Sequence, residues 1–198
     1  FDSGEVGREA SWASAGMIGP DSSPELDPWF SESTKASAKR YVTLIEELRE
    51  LTGRNIGYGG DGGLLISRTE KELESIRSKK KQQETSGIEI HLIDGEEACK
   101  REPALPEDVT GALFNPGGRQ LDARAYTAAV VTGAQLLGAK TFPGQAVTGL
   151  QWTGNQVVGV ETTSGPVRAD LVINAAGAWA GRIDNRLTHP VFPVHGQI

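Results

Sequence analysis

The sequence predicts an α/β fold, and three features support that prediction. Leu171–Ile173 is an apolar run without alternation, which is typical of a strand buried on both faces, as in a parallel sheet. A small-residue turn at 175–177 follows it and meets Ala178-Trp179-Ala180, where a helix can begin. Residues 147–174 contain three strand-like segments separated by tight-turn signals, which indicates a meander. A strand, a glycine turn and a helix place backbone at the sheet edge where open α/β folds bind ligands.

The first half of the chain alternates helices with short strands. Asp27-Pro28 is a helix start with a capping residue and a proline at the first helical position, and Gly53 ends that helix. Thr69–Glu72 is a capping box that opens a charged surface helix running to Thr85. The remaining predicted features are a buried helical stripe (Tyr41, Leu44, Ile45, Leu48 and Leu51), strands at Leu64–Ile66 and Ile88–Ile93, and a helix at Asp94–Arg101 with Asp94 as its cap and Glu97 in the reciprocal position.

The second half begins with a predicted strand at Val109–Asn115 and a Pro116-Gly117-Gly118 turn. Asp122 caps a helix whose face is thin at Gly133, so we expect this helix to approach a sheet closely. The last segment, His189–Ile198, is predicted to be a crossing connection or an edge strand. The three predicted meander strands are Val147–Trp152, Gln156–Thr163 and Val167–Asn174.

Composition limits the classes of function. The chain has 198 residues, 20 Lys and Arg against 26 Asp and Glu, and a net charge of −6, which argues against nucleic-acid binding. Cys99 is the one cysteine, so a reducing, cytoplasmic location is the default expectation. We expect no membrane span, because no apolar run is long enough. The three histidines, His91, His189 and His195, have no ligand spacing, so no metal site is predicted.

The motifs of common catalytic classes are missing, and one acidic residue stands out. We find no G-x-S-x-G nucleophile turn and no phosphate loop, which leaves ligand binding through backbone and small residues. Asp2 follows what looks like the end of a strand. In dinucleotide folds an acidic residue at the end of the second strand accepts hydrogen bonds from ribose hydroxyls. Taken alone, an Asp near a terminus is almost always a solvated charge, so a ribose-binding role for Asp2 needs support from a wider pattern.

A wider pattern resembles the FAD-dependent D-amino-acid oxidase family, with its closest likeness in the glycine oxidases of the thiamine pathway. The resemblance rests on residues 1–17 with REASWASAGM at their core, on residues 117–122 (GGRQLD), on Leu171–Gly181 and on residues 193–197 (PVHGQ). It implies an incomplete FAD-binding domain of the glutathione-reductase-like Rossmann type with a β-meander, and part of an α+β substrate domain. The implied division assigns 1–53 and 119–188 to the FAD-binding domain and 54–118 and 189–198 to the substrate domain.

The resemblance also implies site residues, position by position. Asp2 and Ser3 match the pair that contacts the ribose, and Val147 matches a residue whose backbone meets the adenine. Met17 and Val147 would also suit an ordinary core. The other matched positions are Ala10 and Ser11 near the pyrophosphate, Ala15, Gly16 and Met17 along the flavin ring, and Ala176 and Gly177 beside the cofactor.

The implied activity is oxidation of glycine or a small D-amino acid by FAD, with oxygen as acceptor and peroxide as product. No catalytic residue is nominated, because the cofactor performs the redox chemistry. The family's N-terminal strand with its G-x-G-x-x-G turn and the family's second half are not found, so we expect this fragment to be inactive and to retain FAD weakly or not at all. His195 stands where relatives often carry Arg or Lys. A sarcosine-oxidase-like enzyme, an amino-acid dehydrogenase and a non-catalytic fragment are the alternatives, and homo-oligomerisation is left open.

Overall fold

A computed structural model describes residues 1–19 and 28–186. The described chain forms two compact units. The α+β unit comprises residues 9–136, and the meander unit comprises residues 1–8 together with the described residues from 137 onward. Within these residues, helices alternate with strands of three sheets, which confirms the predicted α/β class. The predicted connection at 189–198 lies outside the described residues.

The α+β unit contains two sheets, with strand orders β1-β5 and β2-β4-β3. All pairings in these sheets are antiparallel. Its elements are α1 (Ala10–Ala13), β1 (Met17–Ile18), α2 (Pro28–Thr52), β2 (Gly63–Ser67), α3 (Glu70–Thr85), β3 (His91–Asp94), α4 (Gly95–Arg101), β4 (Gly111–Asn115), β5 (Arg119–Gln120) and α5 (Ala123–Leu136).

Helices α2 and α5 pack against each other through most of the predicted stripe, but Leu51, predicted to be buried, is exposed. Ile45 and Leu48 of α2 are buried in one cluster with Ala129 of α5. A Cβ added at Gly133 would lie 3.2 Å from Cδ2 of Leu48, so the glycine permits a close approach of the two helices. The thin face of α5 therefore packs on a helix, and the expectation that it meets a sheet is wrong. The predicted cap at Asp27 lies outside the described residues.

A tyrosine pair joins the same two helices. The rings of Tyr41 and Tyr126 lie 5.4 Å apart between centroids. Burial, and then a hydrogen bond with Tyr41, raises the pKa of Tyr126 from 10.0 to about 12. Because the folded pKa is raised, the stabilisation from the neutral phenol is complete below pH 10 and is lost as the pH rises through about 12.

We expect an ultraviolet absorbance titration to show a late tyrosine ionisation near pH 12 that belongs to Tyr126. Tyr126→Phe should remove this late ionisation, since burial of the Tyr126 phenol and its hydrogen bond with Tyr41 raise its pKa. Tyr58→Phe is the matched control and should leave the late phase in place. The absence of any tyrosine ionisation near pH 12 would contradict the assignment.

The β2-β4-β3 sheet of the α+β unit packs against helix α3 on one face and helix α4 on the other. Thr69 and Glu72 form the predicted capping box at the start of α3. Asp94 caps α4 by accepting from the amide of Glu97, whereas the Glu97 carboxylate pairs with Arg101 instead of closing the box. The strand expected from Ile88 begins only at His91. Its alternating apolar pattern has another cause, because Ile88 and Ile90 pack against Ile76 of α3 and Leu113 of β4 in a buried cluster.

The meander unit confirms the predicted three-stranded antiparallel sheet. It consists of β6 (Val147–Thr153), β7 (Gln156–Thr162) and β8 (Gly165–Arg168) in the order β6-β7-β8. A 3-10 helix, Gly177–Arg182, follows in the chain and confirms a helical start after the small-residue turn.

The buried strand predicted at Leu171–Ile173 is wrong. The third strand of the meander ends at Arg168, and residues 171–176 form neither helix nor strand. Leu171 is 77% exposed and Ile173 is 80% exposed. An apolar run becomes a buried strand only where other strands and helices cover it, and no described strand pairs with this segment.

Candidate functional site

The segment that carries Asp2 pairs with residues just before β6. The amide of Asp2 donates to the carbonyl of Phe142 at 3.2 Å, and the Asp2 carbonyl accepts from the amide of Gln145 at 2.9 Å. Gly4 continues the pairing, since its carbonyl accepts from the amide of Gly144 at 2.9 Å. The rings of Phe1 and Phe142 stack at 4.6 Å. Asp2 and Ser3 are thereby held beside the stretch that leads directly into Val147.

The Asp2 side chain keeps one oxygen open. Its Oδ1 accepts from the amide of Gly4 at 2.9 Å, which fixes the side-chain rotamer. Among the described residues, Oδ2 accepts no hydrogen bond. Asp2 is half-buried and Ser3 is exposed. A carboxylate oxygen held in this way can accept hydrogen bonds from a hydroxyl-bearing ligand.

The turn at Ala176–Gly177 is closed by one asparagine. Asn174 Oδ1 accepts from the amide of Ala176 at 3.2 Å, and its Nδ2 donates to the carbonyl of Ala180 at 3.0 Å. Gly177 has φ +52°, a conformation that suits glycine, and among the described residues no atom lies within 4 Å of the place where its Cβ would be. The glycine therefore serves the backbone conformation and leaves open space on its Cβ side.

Ala10 and Ser11 lie on α1, which packs on α5. The guanidinium of Arg124 lies 5.1 Å from the ring centroid of Trp12, a cation–π distance. Ala10 and Ser11 themselves are exposed. One turn of helix, held through its tryptophan, therefore presents two small side chains to the surface of the α+β unit.

Gly16 and Met17 differ sharply in their surroundings. Gly16 is buried with φ +72°, its amide donates to Oγ of Ser14, and its carbonyl accepts from the amide of Leu121. Its Cβ would lie 2.0 Å from the carbonyl oxygen of Leu121. Met17 pairs with Gln120 in the small sheet, and its side chain is 81% exposed. Ala15 is exposed as well. The alternative that Met17 is a core residue is therefore wrong for the described chain. Val147, the other residue that would suit a core, is half-buried.

Three glycines before strand β2 match the spacing of a dinucleotide-binding turn but serve the fold instead. Gly57, Gly59 and Gly62 have the G-x-G-x-x-G spacing, but they precede strand β2 instead of opening a helix. Gly59 exchanges two backbone hydrogen bonds with Gln120. A Cβ at Gly62 would lie 2.3 Å from Cε2 of Phe114. Gly59 thus takes part in strand pairing and Gly62 permits close packing against Phe114, and none of the three glycines opens a helix as a dinucleotide-binding turn does.

The structure thus divides the ten predicted residues between two units. Asp2, Ser3, Val147 and the turn at 176–177 belong to the meander unit, and Ala10, Ser11 and residues 15–17 belong to the α+β unit. Sequence reasoning missed Asn174, although an asparagine two residues before a small-residue turn is a recognised turn signal. Pro143-Gly144 is also a turn signal, but nothing local indicates that residues 142–145 pair with the distant segment that carries Asp2.

Two structural features are absent from the described residues. In 1–19 and 28–186 no group of three His, Cys, Asp or Glu side chains could hold a metal ion. Within the same ranges no helix is both long enough and apolar enough to cross a membrane.

Comparisons with known proteins extend these observations. A family model described as FAD dependent oxidoreductase (DAO) matches residues 1–198. Glycine oxidase from Geobacillus kaustophilus is 32% identical over 200 residues, which is 100% of this chain and 53% of that protein. A bifunctional ThiO/ThiG protein from a Nostoc species is 31% identical over 189 residues, or 96% of this chain and 28% of that protein.

A solved structure also shows similarity to glycine oxidase. The crystal structure of glycine oxidase from Geobacillus kaustophilus matches with a TM-score of 0.84 and 31% identity. The match covers 92% of this chain and 49% of that one. The chain spans about half the length of the glycine oxidases it matches, 53% and 52% in two cases.

Proposed function

Because this chain belongs to the DAO family of FAD-dependent oxidoreductases, as the resemblance in its sequence predicted, we propose that the complete protein binds FAD and oxidises glycine or a small amino acid. Oxygen is the proposed acceptor and peroxide the product. The observation that carries the proposal is the family match along all 198 residues together with similarity to glycine oxidases.

The proposed cofactor contacts follow the family pattern. Asp2 and Ser3 bind the ribose, the backbone of Val147 meets the adenine, and the turn at 176–177 borders the cofactor. The remaining proposed contacts are Ala10 and Ser11 near the pyrophosphate and Ala15, Gly16 and Met17 along the flavin ring.

The local chemistry of several of these residues fits FAD. Asp2 has a carboxylate oxygen that accepts no described hydrogen bond, which suits the donating hydroxyls of a ribose. Gly177 has open space on its Cβ side, and Met17 offers an exposed apolar side chain. Bound FAD would supply the electron acceptor for oxidation of the amine. The chain's own residues would bind and orient the cofactor, and we assign no proton transfer to any of them.

We also propose that the division into FAD-binding residues (1–53 and 119–188) and substrate-domain residues (54–118 and 189–198) applies to the complete protein. The buried cores support most of this division. One cluster joins α2 to α5 and includes Leu121, although Ile56, just inside the substrate-domain range, also belongs to it. The other two clusters consist of buried residues from 76 to 113 and pack around the three-stranded sheet.

Product analysis tests the function. The complete protein, loaded with FAD, should release peroxide when it is supplied with glycine, and sarcosine and D-alanine are the comparison substrates. Oxidation with an artificial acceptor but not with oxygen would replace the oxidase proposal by the dehydrogenase alternative. Failure of all three amines with either acceptor would contradict the proposed substrate class.

Asp2→Ala tests the cofactor assignment. We expect the affinity for FAD, measured by quenching of flavin fluorescence, to fall by about ten- to a hundredfold, because hydrogen bonds to a charged group are lost. Asp61→Ala is the control, since Asp61 is an exposed aspartate outside the proposed contacts. An unchanged FAD affinity in Asp2→Ala would remove Asp2 from the ribose site.

A further inference from the structure

The segment after β8 is fastened to the meander sheet at only a few described points. The amide of Ala169 donates to the carbonyl of Val158 at 3.1 Å. Beyond it, the described hydrogen bonds of residues 170–183 stay inside the segment, mainly through Asn174. The exposed Leu171 and Ile173 add little packing. Among the described contacts, the position of the Ala176–Gly177 turn therefore depends on how the two ends of this segment are attached to the sheet.

A side-chain cluster fastens the far end. Trp152 on β6 donates from Nε1 to Oδ2 of Asp184 at 2.8 Å, and Oδ1 of Asp184 accepts from the amide of Arg186 at 2.8 Å. The guanidinium of Arg186 lies 4.7 Å from the ring centroid of Trp152. We call Trp152, Asp184 and Arg186 the Trp152 cluster.

The cluster is electrostatically favourable. The Trp152 hydrogen bond, followed by that from the Arg186 amide, lowers the pKa of Asp184 below its usual value of 3.8. The carboxylate is therefore charged at neutral pH, and a hydrogen bond to a charged acceptor is stronger than one between neutral groups. Arg186 stacks on the indole and adds a positive charge beside the carboxylate.

We infer that the Trp152 cluster positions the Ala176–Gly177 turn. Trp152 and Asp184 are therefore positioning residues for this turn. This inference rests on the proposed function only in that the turn borders FAD. Its physical basis is loop closure: a segment held at both ends samples fewer conformations than one held at a single end. Releasing Asp184 would leave Ala169 as the nearest described backbone attachment to the sheet.

Trp152→Phe is the sharpest test, because it keeps an aromatic ring for Arg186 and removes only the N–H donor and part of the ring area. Amide hydrogen exchange in the absence of FAD should become about tenfold faster at Ala176 and Trp179, whose amides donate within the turn. Peptides from β7, which contain neither substituted residue, are the internal reference and should keep their exchange rates. Asp184→Ala should reproduce the effect, and Asp184→Asn should restore protection, since its amide oxygen can still accept from Trp152.

A second readout connects the cluster to the cofactor. With the complete protein, Trp152→Phe and Asp184→Ala should weaken FAD binding about tenfold, and Asp184→Asn should recover most of the affinity. Trp179→Phe is the matched control for loss of an indole and should leave exchange at Ala176 unchanged.

The outcomes separate the two proposals. Unchanged exchange in the turn of both variants would overturn the inference, and so would equal acceleration in the sheet peptides, since the cluster would then support the sheet as a whole. Faster exchange in the turn of a protein that binds no FAD would keep the positioning role and overturn the proposed function. Faster exchange with unaltered FAD affinity would separate the turn from the cofactor and overturn that part of the inference.

Discussion

Gly16→Ala is expected to destabilise the α+β unit by about 3 kcal/mol, because left-handed backbone with a Cβ costs ~1–2 kcal/mol and overpacking ~1–3 kcal/mol. Gly16 has φ +72°, and its Cβ would lie 2.0 Å from the carbonyl oxygen of Leu121. That carbonyl belongs to the backbone between β5 and α5, so it cannot move aside as a side chain could. Urea unfolding followed by circular dichroism measures the loss.

Gly59→Ala is the matched control for this prediction. Gly59 pairs with Gln120 of the same small sheet, but nothing lies within 4 Å of its Cβ position. We expect a change of at most about 1 kcal/mol in the free energy of unfolding, as for glycine-to-alanine changes at compatible positions. Equal losses in both variants would show that the contact with Leu121 is not the cause.

Gly159→Ala is expected to destabilise the meander unit by about 2 kcal/mol through overpacking. Gly159 is buried in the middle strand, β7. Its Cβ would lie 2.3 Å from the carbonyl oxygen of Val167 and 2.6 Å from Oε1 of Gln151. The Val167 oxygen is part of β8, so relief of the overlap requires the two strands to separate. Thermal unfolding and amide exchange in β8 measure the effect.

Gly149→Ala distinguishes a steric effect from a general intolerance of the sheet. Gly149 lies on the neighbouring strand β6, and its Cβ would meet Glu161 Cβ at 3.9 Å, an ordinary contact distance. We expect little change or a slight stabilisation from the lower entropy of the unfolded chain. If Gly159→Ala leaves exchange in β8 unaltered, the close packing between β7 and β8 is looser than the distances indicate.

Much of the secondary structure was predictable because its signals are local. The capping box at Thr69, the Asp122 cap and the stripe through Ile45 and Leu48 each depend on residues within a few positions of one another. The meander was predictable for the same reason, since tight turns connect neighbouring strands. The family could also be recognised, because several short motifs occur in one order along the chain.

The candidate site was only partly predictable. Asn174 acts on a turn two residues away and could have been found, whereas the Trp152–Asp184 hydrogen bond joins residues 32 positions apart. The pairing of Asp2 with Phe142 and Gln145 is also long-range: Pro143-Gly144 predicts a turn, but it does not indicate which distant segment pairs beside that turn. Backbone pairing between distant segments depends on which segments the tertiary fold brings together, so it cannot be predicted from local sequence.

The sequence by itself determined the α/β class, the capped helices, the meander and membership of the FAD-dependent family, because these follow from local periodicity, turn chemistry and motif order. Only the tertiary structure decided that α5 packs on α2, that Met17 is exposed and that Leu171–Ile173 is not a strand. The reason is that apolar residues specify a need for burial but not the partner that provides it. For Leu171 and Ile173, no described element provides that burial.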